Sequence, residues 1–173
     1  ANWYGGYINQ DSDGVLEFSE SSSIEVNDVS LSSGEKLTVQ LRWEDDWGNA
    51  ARDFDLLLYD AGLNLLAFSA AIQTGLSGQY PFELISFTAP SSGVYLLAIF
   101  HVAGAIPSWL QLNAFTGQPL GVSVPATSIG SPADSASPGM LAVGAAWWLT
   151  PNTIESFSSQ GPTTDGRVKP DIV

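Results

Sequence analysis

The chain has 173 residues, of which 45% are hydrophobic, and this composition excludes an intrinsically disordered protein. Eighteen acidic residues against five basic ones give a formal net charge of −13, which argues against nucleic acid and anionic membrane surfaces as partners. The sequence has no cysteine for a disulfide framework and no apolar run of the roughly 20 residues that a membrane-spanning helix needs.

The first candidate site along the chain is the acidic segment 9–17, which reads Asn-Gln-Asp-Ser-Asp-Gly-Val-Leu-Glu. Short acidic side chains that alternate and are followed by glycine are typical of a loop wrapped around Ca²⁺, a hard cation that prefers oxygen ligands. A solvated Asp-Ser-Asp-Gly hairpin turn is the alternative interpretation. The predicted Ca²⁺ ligands are Asn9, Asp11, Asp13, the carbonyl of Val15, and Glu17.

Between Ile24 and Phe115 the sequence shows short runs in which apolar and polar residues alternate, separated by clusters of Gly, Ser, Pro and Asp. In 36–43, for example, Leu37, Val39, Leu41 and Trp43 fall on one face. The pattern predicts two packed antiparallel sheets of the jelly-roll type, with very little helix before residue 130. The predicted strands are 36–43, 54–59, 63–68, 80–87, 94–102 and 109–115.

Two further features of this region are candidate sites. A second acidic cluster flanks Trp43 and Trp47, and we expect its members to pair with Arg42 and Arg52, although two of them could also converge on an ion. Six tryptophans could line a sugar-binding face, but most are more simply core or rim residues. The acidic cluster consists of Glu44, Asp45, Asp46, Asp53 and Asp55.

The character of the sequence changes near residue 117. Prolines, serines, alanines and glycines become frequent, and 140–145 is a short, continuous apolar run. Such a run predicts a strand that is buried on both faces, as in the parallel sheet of an α/β domain, and 153–157 predicts another strand. We therefore divide the chain into a β-sandwich domain, residues 1–116, and a segment of different architecture, residues 117–173.

Two segments of this second part resemble the subtilisin-like serine proteases. Residues 131–145 are similar to the family's P-A-x-x-x-x-V-x-A-V-G-A stretch. Residues 154–173 are similar to its F-S-S-x-G-P-T-x-D-G-R-x-K-P-D-I run, in the same order along the chain. The resemblance covers roughly residues 126–173 and implies that they belong to the α/β catalytic domain of a secreted protease.

The resemblance also implies where the sandwich lies in such a protease. The family's oxyanion asparagine would precede Ala1 and its catalytic serine would follow Val173, so we expect an internal fragment that has no complete Ser-His-Asp triad and is inactive. His101 lies in a sequence similar to the family's histidine motif, but it follows the wrong neighbours and falls in a predicted strand, so we assign it a structural role.

These expectations give a first functional hypothesis: a non-catalytic insert that modulates substrate access or stability. Its expected partners are the rest of the parent protease and the polypeptide substrates of that protease. An independent carbohydrate-binding or protein-binding module is the alternative.

Overall fold

The computed structural model describes residues 1–21, 23–130 and 132–173, and in these ranges it contains ten β-strands and no helix. It follows that no described helix is long and apolar enough to cross a membrane. The strands are β1 (Asn2–Gly5), β2 (Asn27–Leu31), β3 (Lys36–Trp43), β4 (Asp53–Asp60), β5 (Leu65–Ser69), β6 (Phe82–Thr88), β7 (Gly93–Ala103), β8 (Leu110–Phe115), β9 (Ala146–Trp147) and β10 (Thr150–Ile154).

The chain forms two compact units. The first contains Ala1 and Trp3–Ser123, and the second contains Asn2 and Val124–Val173. Residues 117–123, which follow the last strand of the sandwich, belong to the first unit because Asn27 holds them there. Its side chain donates to the carbonyl of Val122 at 2.8 Å and accepts from the N–H of Val122 at 3.0 Å.

The first unit is an antiparallel jelly-roll β-sandwich, as the sequence predicted. One sheet has the strand order β1-β8-β3-β6 and the other has the order β2-β7-β4-β5. The pairs β4–β5, β3–β6, β2–β7 and β1–β8 are nested, which is the connectivity of one long antiparallel hairpin folded over into two sheets.

The core between the two sheets follows the alternation that the sequence predicted. In β3, Leu37, Val39, Leu41 and Trp43 are almost fully buried, while the intervening residues are half-buried or exposed. In the second sheet, Phe54, Leu56 and Leu58 of β4 are inaccessible to solvent. Both rows face the interior because side chains at i and i+2 of a strand point the same way.

Strands β1 and β2 are absent from the predicted strands, and β5 starts later than predicted. The four-residue β1 was not predicted, because it is defined by a distant partner: Ala1 and Ala114 exchange two backbone hydrogen bonds. Strand β5 starts at Leu65 rather than residue 63. There the Asp60 carboxylate accepts hydrogen bonds from the N–H groups of Gly62 and Asn64, and Leu63 has a φ of 61° that the resulting turn requires.

The described residues of the second unit form one hairpin, β9–β10, and one parallel bridge between Val143 and Ile172. The apolar run 140–145 was predicted to be a strand buried on both faces, but Leu141 and Val143 are more than 60% exposed. A parallel strand becomes buried when it has neighbours on both sides and layers on both faces. In the described chain this run pairs with the short segment around Ile172 and is hydrogen-bonded at Ala145 to Glu155 and Ser158. The other predicted strand, 153–157, overlaps β10 only at its first two residues, because β10 runs from Thr150 to Ile154. A turn follows β10 and is closed by the hydrogen bond from the Ser158 N–H to the Glu155 carbonyl.

Candidate cation-binding loop and groove

The acidic loop 9–17 is shaped by its own side chains. Asn9 Oδ1 accepts from the Ser12 N–H at 2.9 Å, and Asp13 Oδ1 accepts from the Val15 N–H at 2.8 Å. Gly14 has a φ of 93°, and a β-carbon there would lie 2.7 Å from the ring of Phe100, so glycine is required for two reasons. The loop joins β7 through the hydrogen bond from the His101 N–H to the Gly14 carbonyl.

Three carboxylates converge at this loop. Asp11 and Asp13 are exposed and Glu25 is half-buried, and each offers one oxygen that lies within 4.8 Å of the other two. Burial and the negative charges of Asp13, Asp11 and Glu17 raise the pKa of Glu25 above its usual value. This repulsion would be relieved by a cation, so the group is chemically suited to hold one.

The structure uses the other predicted ligands to brace the loop. Glu17 is 1% exposed, and its two carboxylate oxygens accept from the backbone and side-chain N–H groups of Gln10 at 3.1 and 2.6 Å. The amide of Asn9 binds Ser12 through its oxygen and the Tyr7 hydroxyl through its nitrogen. Val15 is half-buried, and its N–H donates to Asp13.

Glu25 was missed in the sequence because it lies outside the 9–17 pattern, just before β2. The fold brings it back to the loop: the Phe18 N–H donates to the Ile24 carbonyl at 2.7 Å, which closes the intervening segment. With this segment closed, Glu25 lies beside Asp11 and Asp13. Of the five predicted ligands, Asp11 and Asp13 are therefore the two that the structure brings together in this group.

A groove of about 610 Å³ adjoins the loop. Its lining includes Tyr7, Asp13, Phe100, His101 and Ile106. The His101 ring packs against the rings of Phe54 and Tyr7, with centroids 4.8 and 5.3 Å apart. The groove thus combines aromatic rings with acidic oxygens, which is a surface suited to a small polar ligand.

The second acidic cluster is divided between two environments. Arg52 forms an ion pair with Glu44 at 3.6 Å, and Asp45 Oδ2 accepts from the N–H groups of Ala51 and Arg52. These contacts agree with the expected pairing around Arg52. In contrast, Asp53 is 5% exposed and lies apart from these surface contacts. Arg42 donates to Gln111 at 2.6 Å.

The tryptophans are also divided. Trp3 and Trp43 are core residues, and Trp109 stacks on Tyr4 with centroids 6.1 Å apart. Trp47 is 66% exposed and its ring contacts that of Tyr80, so these two form an accessible aromatic pair on the first unit. Trp147 and Trp148 are exposed residues of the second unit.

No family model and no curated protein matches the sequence. Among solved structures, the chain is similar to the pre-peptidase C-terminal domain of collagenase from Bacillus anthracis, at 15% identity and a TM-score of 0.41, over 66% of this chain and 87% of that chain. It is also similar to the CBM35 of Paenibacillus barcinonensis, at 14% identity and a TM-score of 0.29, over 64% of this chain and 88% of that chain. A third similarity, at 13% identity and a TM-score of 0.29, is to the VP2 subviral particle of infectious bursal disease virus, over 67% of this chain and 30% of that chain. The chain's own residues therefore carry the functional argument.

Proposed function

We propose that this chain is a non-catalytic jelly-roll insert of a secreted subtilisin-like endopeptidase, joined to part of that protease's catalytic domain. The observation that supports this most directly is the pairing of the two motif segments. Gly144 donates its N–H to the Ile172 carbonyl at 2.8 Å, and Asp171 donates to the Ala142 carbonyl at 2.9 Å. Parallel pairing of two such apolar segments is typical of the central sheet of an α/β domain.

The exposure of this paired segment is a second support. Leu141, Val143, Ile172 and Val173 are each more than 50% exposed, so both partners of the bridge present apolar side chains to solvent. Contiguous apolar surface of this kind marks a site that another protein segment covers. In the proposal, the remaining strands and helices of the parent protease cover it.

A turn inside the second motif segment is shaped by its own side chains. The Asp165 carboxylate accepts two hydrogen bonds. One comes from the Thr163 hydroxyl and the other comes from Arg167 Nε at 2.8 Å. Gly166 lies between them with a φ of 83°. A threonine, an acid, a glycine and an arginine at these positions build a turn that presents the following Lys-Pro-Asp-Ile segment to its parallel partner.

The test is to determine the coding sequence on both sides of these 173 residues and to label the extended protein with a fluorophosphonate. We expect aspartate, histidine and Ala-Gly-Asn motifs upstream and a Gly-Thr-Ser motif downstream, with covalent labelling of that serine. The 173-residue chain is the control and should not be labelled. An extended protein that has no such serine overturns the proposal.

Within this function, we assign Ca²⁺ to the acidic loop as a stabilising ion held by Asp11, Asp13 and Glu25. Oxygen ligands with three negative charges suit a hard divalent cation. The ion would join the loop to the segment before β2, so it would hold these two segments of the sandwich together. At a Ca²⁺ concentration about 100 times the dissociation constant, the Tm should rise by about 5–10 °C.

The loop assignment is tested with the double variant Asp11→Asn/Asp13→Asn. It should show a smaller Ca²⁺-dependent rise in Tm than the unaltered chain, because the variant removes two of the three charges of the loop group. Asp46→Asn is the matched control, since Asp46 is also an exposed aspartate but lies outside the group. A rise in Tm that persists undiminished in the double variant contradicts the assignment.

A carbohydrate-binding or protein-binding module is the second candidate. The exposed Trp47–Tyr80 pair and the aromatic groove beside the loop favour it, because aromatic rings stack on sugar rings. A glycan-array or titration experiment with Trp47→Ala as the comparison decides between them. Glycan binding that the variant abolishes would support the binding module. If the chain binds no glycan, the protease insert is supported instead.

A further inference from the structure

A group of polar side chains is buried at one edge of the sandwich. Asp53 at the start of β4 is 5% exposed, Gln73 in the loop between β5 and β6 is 3% exposed, and Glu83 near the start of β6 is 1% exposed. Strand β4 belongs to one sheet and β6 to the other. The group therefore lies where the two sheets are joined by the crossing from β5 to β6.

Gln73 connects the two carboxylates. Its side-chain amide donates to Glu83 Oε1 at 3.1 Å, and its backbone N–H donates to the Asp53 carboxylate. Glu83 also accepts from the Ser69 hydroxyl and from the N–H of Ala71 at 2.9 Å. The crossing segment is thus fixed around the two acids by hydrogen bonds at three points.

Two oxygen atoms of this group have no hydrogen-bond partner among the described residues. They are Asp53 Oδ1 and Gln73 Oε1, and both are fully shielded from solvent. Buried polar atoms nearly always have a partner, because leaving one without a partner is energetically costly. Since Gln73 contacts both acids, its free oxygen lies in the same polar group as they do.

The group also carries negative charge. Asp53 and Glu83 are both acids, and a third acid, the half-buried Asp55, stands two residues from Asp53 in β4. His101 Nε2 is another buried atom without a hydrogen-bond partner in the described chain. A cation would relieve the repulsion and supply a partner to both free oxygens.

We propose that Asp53, Gln73 and Glu83 bind a second, buried Ca²⁺, independent of the acidic loop. Two carboxylates and a carboxamide form an all-oxygen donor set, which suits Ca²⁺ rather than a transition metal. The three residues come from β4, the crossing loop and β6, so the ion clamps the two sheets to each other. This site goes beyond the proposed function and does not depend on the protease assignment.

The binding experiment uses the full chain with the loop site disabled by Asp11→Asn/Asp13→Asn, titrated with Ca²⁺ by calorimetry and with Tb³⁺ by sensitised luminescence. We expect one remaining ion, with a dissociation constant of about 1 mM or tighter. Trp43 should sensitise the Tb³⁺ emission, because its indole N–H donates to the carbonyl of Arg52, the residue before Asp53. Adding Asp53→Asn should abolish this remaining binding.

Gln73→Met is the second variant, because it removes the free oxygen while keeping a side chain of similar length and the backbone N–H. It should weaken the remaining Ca²⁺ binding at least tenfold, and circular dichroism identifies any variant that does not fold. Two results overturn the proposal: no ion bound by the loop-disabled chain up to about 10 mM, or binding that neither Asp53→Asn nor Gln73→Met changes. Loss of the loop ion alone leaves this proposal unaffected, since the loop is already disabled in the test.

Discussion

The two units of the chain use apolar side chains in opposite ways. In the sandwich, residues such as Trp43, Leu56 and Leu112 are buried between the sheets with at most 1% exposure. In the described part of 124–173, Leu149, Phe157 and Val168 are between 58% and 86% exposed. Large apolar side chains therefore form a closed core in one unit and an open surface in the other. Hydrophobicity alone does not make a core; the number of layers that a strand meets decides it.

The largest expected effect is a difference in the free energy of unfolding between two leucine-to-alanine variants. Leu56→Ala in β4 should lower the free energy of unfolding by about 2–5 kcal/mol, because it removes a fully buried side chain and leaves a cavity. Leu149→Ala, the same change at a 58% exposed position, should alter it by no more than about 0.5 kcal/mol. Urea denaturation followed by circular dichroism measures both. Equal effects would mean that Leu149 is buried in solution, and the contrast between the units would fail.

The same contrast explains how much of the fold was predictable. The alternation in 36–43 is local, and it identified β3 together with the residues that it buries. The apolar run 140–145 carried an equally strong local signal, yet its burial depends on neighbouring strands that the described chain does not provide. Strand β1 has hardly any local signal, since its pairing with β8 spans more than a hundred residues.

The candidate sites follow the same rule as the strands: residues in a local pattern could be predicted, and residues brought together by the fold could not. Asp11 and Asp13 could be identified because a short pattern of acids and glycine contains its own geometry. Glu25 reaches the same point only through the closure of the segment before β2. Gln73 and Glu83 are an ordinary loop glutamine and a strand residue in the sequence. The contacts of Gln73 with Glu83 and with Asp53 follow from the way in which the two sheets meet.

Two glycines extend the comparison to the backbone. Gly104 and Gly166 both have positive φ angles, so alanine should cost about 1 kcal/mol at either position. A β-carbon on Gly104 would also lie 2.6 Å from the carbonyl oxygen of Ala51, whereas nothing lies within 4 Å at Gly166. Gly104→Ala should therefore destabilise the protein by about 1–3 kcal/mol more than Gly166→Ala in thermal unfolding. If Gly166→Ala is the more harmful change, the second unit is packed more densely than described.

Polar contacts should show a smaller difference. Asn27 is inaccessible to solvent, and Asn27→Ala leaves the N–H and the carbonyl of Val122 without partners, at a cost of about 1–3 kcal/mol. In the second unit, half-buried Ser128 accepts from the Gln160 N–H at 2.9 Å, and water can replace it there. Ser128→Ala should cost about 0.5–1.5 kcal/mol. Guanidinium denaturation of the two variants measures the difference, which should disappear if Val122 finds another partner.

The smallest expected effect is a pH dependence with opposite signs in the two units. In the sandwich, burial raises the pKa of Asp53 and Asp55, so the folded state holds their protons more tightly than the unfolded state. Stability from these two groups is therefore lost as the pH rises from 3.8 through their folded pKa values.

In the second unit, hydrogen bonds from Arg167 and Thr163 lower the pKa of Asp165 to about 2, so its contribution is present above pH 3.8 and is lost as the pH falls toward 2. Carboxyl-carbon NMR titration in EDTA should show Asp53 titrating above 3.8 and Asp165 near 2. If Ca²⁺ is added, the Asp53 pKa should fall, because an ion at the buried site favours the ionised carboxylate. An Asp53 pKa that starts below 3.8 and ignores Ca²⁺ would remove both the opposite signs and the electrostatic argument for a buried ion.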